Sequence, residues 1–108
     1  MKKTVLILLS IISLNVSAQT WSQLGSLPSS YEARNHPCAF SIGEFGYLTT
    51  GAGNFYNGDF HRYDPSNDSW TALAAFPGGA RSFAYGVENA GKGYVGFGLV
   101  ATQQTGVT

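Results

Sequence analysis

Beyond residue 18 the chain carries no 3.6-residue period and no heptad; short apolar runs alternate with clusters of Gly, Pro, Asn and Asp. That pattern predicts an all-β protein of short strands and tight turns. The runs place strands at about 36–42, 47–50, 60–63 and 69–73, and again at 82–87 and 94–97. A short turn falls at 41–46, and Asn57-Gly58 reads as a tight hairpin turn because both residue types tolerate positive φ. In Asp64-Pro65-Ser66-Asn67-Asp68, Pro65 presets φ while the Asx side chains bond to nearby backbone. Tyr63 then ends one strand and Trp70 opens the next, so their rings meet across an antiparallel hairpin.

Overlaying the chain on itself reveals a repeat. "WSQLGSLP" (21–28) matches "WTALAAFP" (70–77) at an offset of 49. Arg34 follows Pro28 by six residues and Arg81 follows Pro77 by four, so the offset falls to 47. At 47, "FGYLTTG" (45–51) meets "KGYVGFG" (92–98). A period near 50 built only of strands and turns points to propeller blades rather than a helical solenoid. The repeat positions read as structural are Trp21, Gly46, Tyr47, Gly51, Gly53, Tyr63, Trp70, Gly93, Tyr94 and Gly98.

These residues resemble the kelch motif: a Gly-rich end of the second strand, then Tyr63, then Trp70 after six intervening residues. The usual Gly-Gly doublet is replaced by Gly51-Ala52-Gly53 and Gly96-Phe97-Gly98. The resemblance implies kelch-type β-propeller blades of exported bacterial type, incomplete here, about two blades of a longer propeller. Residues 19–108 then hold one full four-stranded blade and parts of its neighbours, with a fourth-strand-like segment at 21–27. On this reading the chain is an N-terminal piece, and its open blade edges invite self-association.

The start of the chain is not fold material. Lys2 and Lys3 precede an apolar run at 4–14, and Val16-Ser17-Ala18 offers small residues for cleavage before Gln19. That is the layout of a signal peptide over 1–18, and the run is too short to span a bilayer. Export to the periplasm, cell surface or medium is expected, with no membrane insertion after cleavage. Removing 1–18 takes two of the six basic residues and none of the six acidic ones, leaving a net charge of −2. Such a chain has no basic footprint for nucleic acid. The single Cys38 has no internal disulfide partner and reads as a small buried apolar side chain.

In a four-stranded meander the loop entering the first strand and the loop joining the second and third share one side. They carry Tyr31, Arg34, Phe55 and Tyr56, and the second copy adds Arg81. These five are the candidate ligand-binding residues. Arginines recurring at the entry to the innermost strand could grip carboxylates, or could bond loop carbonyls as structural residues. No catalytic group, metal site or cofactor is assigned. His36 and His61 lack metal-ligand spacing, and His36 beside Cys38 lacks an orienting third group. The oxidase set of Tyr, Cys and paired His found in some kelch-like propellers is not matched. The favoured expectation is a noncatalytic secreted or surface module that binds protein or glycan. The alternative is a piece of a propeller enzyme, sialic-acid isomerase-like or oxidase-like, whose catalytic residues lie in further blades.

Overall fold

The computed structural model describes residues 19–100, so the leader expected over 1–18 lies outside the described residues. The described chain is all-β and antiparallel. Strands β1 (Cys38–Ile42), β2 (Phe45–Thr49), β3 (Phe60–Asp64) and β4 (Ser69–Leu73) form one sheet in the order β1-β2-β3-β4. Strand β5 (Arg81–Ser82) pairs with β8 (Leu99–Val100), and β6 (Tyr85–Asn89) pairs with β7 (Lys92–Gly96).

The expected repeat extends to backbone detail. Shifting β1 and β2 by 47 residues lands on β6 and β7 end for end. The same shift relates residues of positive φ: His36 (49°) to Phe83 (59°), Thr50 (60°) to Phe97 (63°), and Gly43 (58°) to Ala90 (51°). It also carries the Asn35–Ala52 bridge onto the Ser82–Leu99 pair. The strand expected at 82–87 is corrected accordingly to 85–89. The left-handed Phe83 breaks the extended run, assigning Ser82 to β5; His36 shortens the first strand to 38–42 in the same way.

Asn57-Gly58 is also corrected. Neither residue has positive φ, and the two do not close a hairpin. Asn57 instead bridges Arg81, while a side chain at Gly58 would press on the Ala80 backbone at 3.2 Å. The expectation misjudged what this Gly is for: close approach rather than turning. The tight turns lie at Gly43-Glu44 and Ala90-Gly91, each closing a two-residue connection.

One face of β1–β3 presents Phe40, Tyr47 and Phe60. Phe40 stacks on Tyr47 with centroids 5.4 Å apart, and Tyr47 lies 5.8 Å from Phe60. Phe40 seats against Gly86 and Gly93 of the β6–β7 hairpin, where any Cβ would collide with its ring. Cys38 faces Gly86, is 3% exposed, and is the only fully buried apolar side chain among the described residues. Burial pushes its thiol pKa up.

On the other face Tyr63 and Trp70 are cross-strand partners with ring centroids 5.0 Å apart. The indole Nε1 donates to the Gly25 carbonyl at 3.0 Å. Asp68 accepts from the Tyr63 hydroxyl at 2.6 Å and from the Gly25 amide at 2.7 Å. This ties 21–27 to the sheet at one point, but the segment forms no strand and Trp21 is 98% exposed. No neighbouring strand among the described residues offers it a ladder, which corrects the fourth-strand expectation.

The glycine contacts make a paired prediction. Gly93→Ala drives a methyl into the Phe40 ring and should cost roughly 1–3 kcal/mol. Gly96→Ala has open space and should be neutral or slightly stabilising. Urea midpoints at constant m-value measure both.

Candidate functional site

The connection between β2 and β3 carries the candidate ligand aromatics, and its backbone is held from both sides. Asn35 and Ala52 exchange backbone hydrogen bonds at 2.9 and 3.0 Å. On the other side the Gly51 amide donates to the Arg81 carbonyl at 2.8 Å, and the Arg81 amide donates to Asn57 at 3.1 Å. The two arginine-bearing segments therefore flank one turn, as the meander argument expects.

Arg34 turns inward. Its side chain is 1% exposed. Nε donates to the Glu32 carbonyl at 2.9 Å, and Nη1 donates to the Thr50 carbonyl at 3.3 Å. Nη1 and Nη2 together grip the Asp59 carboxylate, the latter at 3.1 Å. The Tyr31 ring lies beneath the guanidinium, 3.9 Å from Cζ to the ring centroid. Arg34 is thus spent inside the molecule: of the two expected uses, its bonds go to loop carbonyls and an internal carboxylate rather than outward. A planar fork suits the task, since one group must reach a carboxylate and two carbonyls at once.

Arg81 repeats the pattern without the acid. Nε faces the Gly79 carbonyl at 3.4 Å, Nη1 donates to Phe97 at 2.9 Å, and Nη2 donates to Gly78. Thr50 and Phe97, the paired carbonyl acceptors, are both left-handed. That conformation is strained for a β-branched or bulky residue. Each arginine donates to the carbonyl of such a bend.

Around Arg34 the remaining groups form a half-buried polar cluster. Tyr31 meets His61 edge-on at 5.4 Å, and His61 Nδ1 lies 3.8 Å from Asp59. Desolvation raises the Tyr31 pKa against the lowering effect of Arg34. Glu32 reaches the other way: it accepts from the Asn54 amide at 2.8 Å and from Asn57 Nδ2 at 3.0 Å. Those two bonds, the Asn57 one first, hold its carboxyl below the ordinary range. The structural roles of Asp59 and Glu32 were not legible in the sequence. Asp59 lies 25 residues from Arg34, and its counterpart at the 47-residue offset is Gly106, so no repeat signal marks it.

Phe55, at the tip of this pinned turn, is 78% exposed, and Tyr56 beside it is half-buried. Tyr31 and Arg34 come together, Arg81 borders the same turn, and Phe55 is the member of the five that projects furthest into solvent. His36 lies away from any thiol chemistry: its ring stacks on Phe83 at 3.9 Å, while Cys38 faces Gly86. His36 is left-handed and precedes β1, so it lies outside the strand that carries Cys38.

No family model matches the chain, and no curated protein matches it. The solved structure of YjhT is similar, with a TM-score of 0.60 and 23% identity over 70% of this chain. The chain spans 23% of the length of that protein. At this identity the likeness speaks for the fold alone.

Two outcomes test the site. Arg34→Lys keeps the charge but loses the fork, and should cost about 1–3 kcal/mol in a denaturant titration because Asp59 is only partly buried. Glu32 has a lowered folded pKa, so its contribution to stability is complete above its ordinary value of 4.5 and is lost as pH falls through the lower folded value. Melting temperature should decline across that acid window, and Glu32→Gln should decline less steeply.

Proposed function

We propose that the chain is an exported, noncatalytic binding module built on kelch-type propeller units. It holds a protein or glycan ligand through the side formed by the β2–β3 turn and the segments entering β1 and β6. The observation that carries this reading is Phe55: a large apolar ring, 78% exposed, on a turn whose backbone and side chains are bonded on three sides. Apolar rings held out to solvent on a preorganised backbone act as contact anchors, since little conformational freedom is lost on binding. An aromatic face packs equally well on the apolar face of a sugar or on a partner side chain. The neighbouring exposed Asn54 supplies a polar side chain beside it.

Several observations support the propeller part of the reading. They are the 47-residue recurrence of strands and left-handed residues, the antiparallel meander, and the wedge of Phe40 between two sheets. The leader pattern at 1–18 supports export. The internal use of Arg34 moves the ligand contacts outward, to Phe55 and Tyr56.

The test is a panel of immobilised glycans and extended peptides probed with the full exported chain. Phe55→Ala should weaken the best interaction at least about tenfold, or roughly 1.4 kcal/mol. Its melting temperature should stay at the wild-type value, because Phe55 is exposed. Binding that survives Phe55→Ala and Tyr56→Ala unchanged, or no binding across the panel, overturns the reading.

A further inference from the structure

The β6–β7 hairpin has two faces. Gly86 and Gly93 lie on the one that receives Phe40. The other carries Tyr85, Val87 and Tyr94, which are 75%, 57% and 52% exposed. Three large apolar side chains on one small sheet face are more than an isolated surface hydrophobe. The internal repeat says what covers such a face. At the 47-residue offset, Cys38, Phe40 and Tyr47 correspond to Tyr85, Val87 and Tyr94. In the first unit that face is closed by a glycine-bearing pair of strands.

The chain also exposes the counterpart of that glycine-bearing surface. Shifting Gly86 and Gly93 back by 47 residues gives Ala39 and Gly46. They lie on the face of β1–β2 turned away from Phe40, and Ala39 and its neighbour Ser41 are exposed. The size changes compensate. Where Phe40 needs a bare glycine at 86, the smaller Val87 leaves room for the methyl of Ala39.

We propose that a second copy of this chain docks head to tail, seating its Ala39–Gly46 face on the Val87–Tyr94 face of the first. The contact continues an interface the chain already makes within itself. The two surfaces differ, so the contact is heterologous: each copy has one of each, and assembly runs beyond a dimer into a ring or an open chain.

The experiment is sedimentation velocity on the full exported chain over a wide concentration range. The wild type should show a mass that rises with concentration past that of a dimer. Val87→Asp disables one face and Ala39→Arg the other. Each variant alone should remain monomeric, with association weakened at least about tenfold. Both sites are exposed, and far-UV circular dichroism checks that each variant keeps its strands. Mixing the two should restore a 1:1 complex that grows no further, because one intact face of each kind remains. A monomeric wild type, a dimer indifferent to Ala39→Arg, a mixture that stays monomeric, or equal aggregation of all three chains overturns the proposal.

Discussion

The guanidinium of Arg34 is the joint on which the described fold turns. It connects the segment entering β1, the carbonyl of the left-handed Thr50 at the end of β2, and Asp59 at the start of β3. No apolar contact substitutes for it, because few apolar side chains are well buried here. With hydrophobic burial this thin, directional bonds to backbone carry an unusual share of the specificity. An unpaired carbonyl or carboxylate left behind would cost more than the bond itself contributes. Arg81 performs the same service for Phe97, so the device belongs to the repeat rather than to one site.

The second organising contact is the insertion of Phe40 between Gly86 and Gly93. It sets how closely the hairpin approaches the sheet, and the aromatic trio of Phe40, Tyr47 and Phe60 fills the space beside it. A cleft of about 430 Å³ remains open between Tyr47, Phe60 and Val95. The two-stranded β6–β7 hairpin does not extend over it as the four-stranded sheet would.

Much of this was legible in the sequence, for identifiable reasons. β4 falls where alternation and the Asp-Pro turn place it, and the Tyr63–Trp70 pair follows from the spacing across that turn. The 47-residue offset predicts β6 and β7 once β1 and β2 are known. What escaped reading were features that local pattern does not encode. Non-glycine residues with positive φ, such as His36 and Phe83, cut two strands short without a turn signature. Gly58 looked like a turn former but serves a neighbour's backbone. Asp59 and Glu32 look like ordinary surface acids until folding brings Arg34, Asn54 and Asn57 to them. The sequence groups the five candidate residues around one turn but does not tell which of their side chains face inward.

The two repeats match end for end from the arginine onward, yet differ by two residues in the stretch before it. In the first unit that stretch supplies Tyr31 and Glu32; at the same distance before Arg81 stand Gly78 and Gly79. The entry loop is therefore a joint whose length varies without disturbing register downstream. Individuality can accumulate there by insertion and deletion while the scaffold stays constant, which makes it the natural graft point for giving such a unit a new specificity.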